Sequence, residues 1–324
     1  MRQISGGFTA HDTNLAVKPR RLSFASVAGL ATVALGALGC PPPYANSQKQ
    51  VEFRYVTPIS VCRNKLAPVG DPSRSGTVVR DLDPAQWTEV LVPGYDDEKG
   101  INPTALDCTG NYVFANESLR GGASDRGWPR LIDPDDMTVN AGPNGMRILW
   151  LRSLKFDNGE EGGPIALARS YGDNAEIYGV GSFRGPKNTR FQTARVGNET
   201  LVTAETKECE PETGVCRKRL YFFLPRRGRL IEGAVIDVDR TAVIPSQTER
   251  GLYAQYHLLT DVTYQKDGIL LLEQVNVRIR PTEVPDLDSN RQLRVVEFSR
   301  FLKVERDSLF MSNEPLWERV VGRD

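Results

Sequence analysis

The sequence predicts an all-β, mainly antiparallel protein: a meander forming a barrel-like or sandwich domain, preceded by an irregular, loop-rich N-terminal region and ended by a short C-terminal helix. Three observations predict it. From residue 146 onward apolar and polar residues alternate with period two, the mark of strands with one buried face. Clusters of Gly, Asp and Asn interrupt these runs every roughly 10 to 13 residues, the spacing of consecutive antiparallel strands. The runs themselves are dominated by β-branched and aromatic side chains, which fit a pleated, half-buried surface.

Each element follows in order. Val51, Phe53 and Tyr55 alternate with Glu52 and Arg54 and read as a half-buried strand. Residues 63–145 are rich in Pro, Gly, Asp and Asn, with short apolar islands such as Val90 to Val92 and Tyr112 to Phe114. Met146, Ile148, Trp150, Leu154 and Phe156 then share one face, Asp157 to Gly163 makes a turn, and Ile165 to Tyr171 runs back as the second arm of a hairpin. Further strands are expected at Glu176 to Phe183, Arg190 to Val196, Thr200 to Thr206, Arg217 to Leu224 and Leu230 to Val238. Leu252 to Tyr264 and Ile269 to Arg280 flank the turn Lys266-Asp267-Gly268; in the second arm Val275, Val277 and Ile279 face in, and Gln274, Asn276, Arg278 and Arg280 face out. Leu293 to Val304 reads as strand rather than helix, because Val296, Phe298, Leu302 and Val304 share a period-two face. Asn313 to Val320 is a capped helical turn or two that docks Trp317.

So many antiparallel strands leave edges that must be closed or covered, and a barrel or a sandwich does this. A propeller is the alternative, but no blade-length repeat supports it. Arg, Lys and Glu on both faces of several strands argue against a membrane-spanning barrel.

The first forty residues carry a different signal. Lys18, Arg20 and Arg21 precede an uncharged Ala/Leu/Gly/Val run from about Leu22 to Leu38, followed by Gly39, Cys40 and three prolines. This segment resembles the bacterial lipoprotein signal class, which implies cleavage before Cys40 and diacylation of that cysteine. The run is short for a bilayer span of roughly 20 residues and is built from Ala and Gly. Four stretches follow: residues 1–39 as signal peptide, 40–50 as lipidated flexible tether, 51–145 as loop-rich region with few strands, and 146–324 as antiparallel β domain. The expected location is the cell envelope, lipid-anchored, at the outer membrane or the periplasmic face.

Charge excludes one class of partner. The whole chain holds 41 basic and 41 acidic residues, and residues 40–324 alone hold 37 and 40, so nothing predicts nucleic-acid binding. Cysteine use agrees with export. Besides Cys40 there are four, Cys62, Cys108, Cys209 and Cys216, an even number suited to an oxidising compartment. Cys209 and Cys216 bracket a short turn between two strands, a hairpin staple adding about 2.5 kcal/mol on the chain-entropy account, which leaves Cys62 for Cys108.

Chemistry-bearing patterns are sparse. His257 is the one histidine outside residues 1–39 and sits inside a strand. Asp286, Asp288 and Asn290 with Glu297 copy the ligand spacing of a calcium loop, but Arg291 stands where the turn glycine belongs and strands flank it. The acids Asp96-Asp97-Glu98, Asp133, Asp135, Asp136, Glu160 and Glu161 could supply the carboxylate pair of a polysaccharide hydrolase. Arg217, Lys218, Arg219, Arg226, Arg227 and Arg229 place six cations on neighbouring arms of one hairpin, an anion-binding surface that Glu205, Glu208, Glu210 and Glu212 could instead neutralise. No catalytic residue, metal or cofactor is predicted. The expected function is a membrane-anchored, non-catalytic binding or scaffolding lipoprotein, its partners the membrane and envelope proteins or polysaccharide. The alternatives are an apolar-ligand carrier and a carboxylate-dependent hydrolase.

Overall fold

Local alternation becomes strand pairing in the computed structural model, which describes residues 59–66, 81–95, 101, 104–113, 128–129, 132–209, 216–280, 291–305 and 308–321. The signal peptide, Cys40, the tether, the strand expected at Val51 to Tyr55, the acids Asp96 to Glu98 and the Asp286 to Asn290 string lie outside the described residues. In chain order the elements are β1 (Cys62–Lys65), α1 (Pro84–Leu91), β2 (Trp128–Pro129), β3 (Met137–Ala141), β4 (Met146–Leu151), β5 (Leu154–Lys155), β6 (Glu161–Tyr171), β7 (Asn174–Gly185), β8 (Arg190–Val196) and β9 (Glu199–Cys209). There follow β10 (Cys216–Arg226), β11 (Gly228–Pro245), β12 (Tyr253–Tyr264), β13 (Gly268–Arg280), β14 (Arg291–Glu305), β15 (Ser308–Met311) and α2 (Leu316–Val320). All fifteen strands among the described residues join one hydrogen-bonded sheet, antiparallel except where β11 meets β7.

That sheet branches at β11, and the branch makes two layers. β10 pairs along one edge of β11, from Arg229 to Arg240. The opposite edge is shared: Gly228 and Arg229 meet Gly179 and Val180 of β7, while Asp239 to Pro245 pair with β12. Between them the Thr260 hydroxyl donates to the Asp237 carbonyl at 2.8 Å, satisfying a backbone acceptor that has left one neighbour for the next. Register shifts at Lys218/Arg219 and Phe222/Phe223 mark bulges, which bend β11 between its two partners. Glycine makes the β7 junction: a Cβ at Gly181 would lie 2.3 Å from the Leu230 carbonyl oxygen.

The strand order β8-β9-β10-β11-β7-β6-β4-β3 therefore curls until β3 lies beside β8, a barrel-like layer. Its interior is filled. Ile148, Trp150, Ile165, Leu167, Tyr178, Phe183, Phe191, Val202, Ala204, Tyr221, Phe223 and Leu230 are buried against one another there. Trp150, Phe191, Tyr221 and Phe223 surround Phe183 with ring centroids 5.2 to 6.1 Å away, all four edge-to-face.

The outside of this layer is covered twice. Trp87, Val90 and Leu91 of α1 pack on Leu149, Ala166, Ala168 and Ile177. On the other flank, Leu201, Leu220, Phe222 and Leu224 meet Ile269, Leu271, Leu302 and Leu309 of the second layer, β12-β13-β14-β15. Strands β9 and β10 are thus buried on both faces, which is why Leu201 to Ala204 and Leu220 to Leu224 are continuously apolar or small. Farther along the same face of β12 and β13, α2 seats Leu316 and Trp317 on Leu258, Val275 and Val277.

Several details depart from the sequence reading. The loop-rich region contains α1, begun by a capping box in which Asp83 accepts from the Gln86 N–H at 2.8 Å and Gln86 accepts from the Asp83 N–H at 3.1 Å. β1 pairs with β7 through Cys62 opposite Ile177. The arm from Met146 is broken at Arg152 and Ser153, and only the two-residue β5 carries it on. Arg280, expected to face out, is 1% exposed and its Nη1 donates to Gln255 at 2.9 Å. A strand parity places a side chain on a face but does not say that solvent reaches that face.

Candidate functional site

Period-two geometry carries the aromatic row of β10 into charge. Tyr221 and Phe223 face the barrel interior, and Arg219 and Arg217 continue the same side of the strand toward its open end. There, between β10, β11, the inner face of β12–β14 and α2, lies a cavity of about 280 Å³ lined by Arg217, Arg219, Asp237, Arg240, Glu273, Arg300, Trp317 and Glu318 among others.

Its guanidinium groups are held at fixed points. Arg217 grips Asp237 with two parallel hydrogen bonds, Nε to Oδ1 at 2.7 Å and Nη2 to Oδ2 at 2.9 Å. The same carboxylate accepts from Arg240 Nη1 at 3.3 Å, and the Arg240 guanidinium lies 4.4 Å from the Trp317 ring centroid. Arg300 and Glu273 form a second two-point pair, at 3.0 and 2.5 Å, with both side chains 2% exposed. Glu273 also accepts the Leu316 N–H at 3.0 Å, and Arg300 Nη1 reaches the Asn313 carbonyl at 3.3 Å, so this pair fastens α2 to the sheet. Arg219 differs. Its Nη2 meets Glu208 at 2.6 Å and its Nη1 donates to the Tyr221 hydroxyl at 3.4 Å, while its buried Nε and the buried Glu208 Oε1 have no partner, and the Trp317 Nε1 has none either.

The six cations singled out in the sequence do not gather in one surface. Arg217 and Arg219 line the cavity, but Lys218 points to the other side of β10 and pairs with Glu205 at 3.0 Å. Arg226, paired with Glu199 at 2.8 Å, sits with Arg227 and Arg229 at the turn end of the hairpin, about 30 Å from Arg217 at strand rise. Arg240 and Arg300 belong to the cavity although sequence reading passed over them; they reach it only through the pairing of β11, β13 and β14.

Other candidates are structural pairs. Arg152 occupies the space among the acids of the hydrolase reading: it meets Glu161 at 3.2 Å, the Asp136 carboxylate at 3.9 Å, and the Asp135 and Asp136 carbonyls. Glu160 pairs with Arg184 at 2.6 Å, whose guanidinium covers the Phe156 ring. His257 Nε2 lies 3.1 Å from Asp239 on the outward face of β11 and β12. Buried Glu176 takes hydrogen bonds from Tyr178 at 2.8 Å and Tyr171 at 2.9 Å, and an ion pair from Arg63. Burial pushes its carboxyl up, but the hydrogen bonds from Tyr178, Tyr171 and Arg63 and the Arg63 charge outweigh that and hold it below the usual carboxylate range. Glu297 of the calcium-like string is exposed on β14, and among the described residues no three His, Cys, Asp or Glu side chains could together hold a metal ion.

The cysteines pair as Cys62–Cys108 and Cys209–Cys216. The second is cross-strand, its two residues directly opposite in the β9–β10 register. Among the described residues no helix is long and apolar enough to cross a membrane. No known protein family, curated protein or solved structure matches this chain.

Proposed function

We propose that the protein is a non-catalytic envelope lipoprotein, tied to the membrane through a lipid on Cys40 and presenting its β domain as a binding or scaffolding module. The observation that carries this reading is the filled barrel interior. A carrier of apolar ligands needs an apolar cavity, typically of about 300 Å³ or more. Here Trp150, Phe183, Phe191, Tyr221 and Phe223 occupy that volume. The acids that a hydrolase would need also favour the non-catalytic reading, because Arg152 already pairs with Glu161 and Asp136, and Arg184 with Glu160.

The anchor rests on the resemblance of residues 1–40 to the lipoprotein signal class. Mass spectrometry of the membrane-extracted protein, beside a Cys40→Ala variant, tests it. A diacyl or triacyl increment on a chain beginning at Cys40, absent from the variant, is the expected result. An unmodified chain that retains residues 1–39 overturns it. Native mass spectrometry of the same extract tests the module reading, since a stoichiometric, non-covalent lipid would make the protein a carrier.

A further inference from the structure

We propose that the cavity between β10, β11 and α2 binds one small anionic group, a carboxylate or a phosphate, with Arg219 as the residue that takes it and Arg217 and Arg240 as its positively charged wall. The proposal rests on the reading of the β domain as a binding module and assigns that module its ligand class.

Four features converge on it. Guanidinium groups present planar donor forks that match the oxygens of a carboxylate or phosphate, and four of them line this one cavity, Arg300 being already committed to Glu273. Two are pre-organised: Arg217 by its two-point grip on Asp237, Arg240 by the same carboxylate and by stacking at 4.4 Å on Trp317. Little ordering entropy then opposes a ligand that docks against them. Arg219, by contrast, is under-used. It meets Glu208 at one point, 2.6 Å from Nη2, and donates from Nη1 to the Tyr221 hydroxyl only at 3.4 Å, while Nε and Glu208 Oε1 are both buried without partners. A buried donor left unmade costs about 1 to 3 kcal/mol, so an anion oxygen that accepts from Nε removes a penalty the empty protein carries. Only the Glu208 contact is short, so a turn of the guanidinium toward the cavity gives up little besides the 3.4 Å contact to Tyr221.

Size narrows the ligand. A cavity of about 280 Å³ falls just below the range of drug-sized sites, roughly 300 Å³ upward, which suits a single small group or the end residue of a larger molecule. The floor adds no vacant charge, because Glu273 is bound by Arg300 at 2.5 and 3.0 Å and by the Leu316 N–H at 3.0 Å. Glu318 contributes one opposing charge to the wall.

Isothermal titration of the detergent-extracted, full-length protein with inorganic phosphate, and separately with glucuronate, tests the site at low ionic strength. Saturable one-to-one binding of at least one anion is expected, weakened tenfold or more in Arg219→Gln and unchanged in Arg227→Gln at the far end of the hairpin. Phosphate alone would point to phosphorylated ligands, glucuronate alone to acidic sugars. Glu208→Gln keeps Arg219 and removes its competing carboxylate, so it should bind several-fold more tightly; this holds the proposal open to test even if Arg219→Gln fails to fold. The absence of saturable binding of either anion overturns the site, as does Arg219→Gln or Glu208→Gln binding within twofold of the unmodified protein. Failure here with the lipid increment still present on Cys40 would remove the anion site and leave the anchored module standing.

Discussion

Replacing Glu273 by Leu should be among the most damaging single changes in the second layer, and replacing Arg300 with it should undo most of the damage. Both side chains are 2% exposed and joined by hydrogen bonds of 3.0 and 2.5 Å. Glu273→Leu leaves the guanidinium buried with only the Asn313 carbonyl at 3.3 Å and the Met311 sulfur at 2.9 Å, and strips the Leu316 N–H of its acceptor. Breaking one side of a buried pair costs about 3 to 5 kcal/mol. At roughly 2 °C per kcal/mol for a chain of this size, Tm should fall by about 8 °C. The double variant Glu273→Leu with Arg300→Met removes the charge itself. What remains unpaired is one N–H and one carbonyl, about 1 to 3 kcal/mol. Urea unfolding with the disulfides kept oxidised measures both. A double variant at least as unstable as the two single losses added together would refute the account, because it would mean that the pair is not the unit of interaction.

Three other outcomes are expected. Trp150→Ala, which empties the centre of the barrel interior, should cost about 3 to 5 kcal/mol in the same unfolding assay; a loss under 1 kcal/mol would mean that the interior is not packed as described. Gly163→Ala should prevent normal accumulation, since its Cβ would lie 2.0 Å from the Leu151 carbonyl oxygen, while Gly94→Ala, with φ +86° and nothing within 4 Å, should lose only about 1 to 2 kcal/mol. Glu176, with a carboxyl held below its ordinary range of about 4.3, contributes stability that is fully present above that value and is lost as pH falls through its lowered folded value. Glu176→Gln should therefore flatten the acid limb of the stability profile while lowering stability at pH 7; an unchanged acid limb would assign that sensitivity to other carboxylates.

Strand identity was legible because its causes are local. The run from Arg190 to Val196 is β8 to the residue, and Ile269 to Arg280 lies one residue short of β13, since alternation and the Lys266-Asp267-Gly268 turn are written in adjacent residues. The two disulfides were legible for a similar reason, one pair spanning a short turn and leaving the other. Helix α1 was passed over although its signal was present: Asp83, Pro84 and Gln86 stand in capping-box spacing before Trp87, Val90 and Leu91. Eight residues are simply too few to show helical periodicity amid turn-rich sequence.

The candidate site was half legible. Arg217 and Arg219 could be named, but whether a cation is vacant or paired depends on partners brought from 20 and 11 residues away by register. Lys218 left the group because neighbouring strand residues face opposite sides.

The amino-acid sequence by itself thus determined most of the strands from residue 146 to residue 304, the turns between them and the cysteine pairs, all of which follow from neighbours along the chain; β1, β3, β15 and the part of β11 beyond Val238 were not read from it. Only the tertiary structure decided that β11 divides its edge between β7 and β12. From that division come two faces of cover for β9 and β10, a barrel interior closed by aromatic rings, and a pocket of arginines at the end of the same row. Alternation marks which side chains share a face; what a face meets is set by which distant strands lie against it, and bulges and glycines in β11 and β7 direct that meeting.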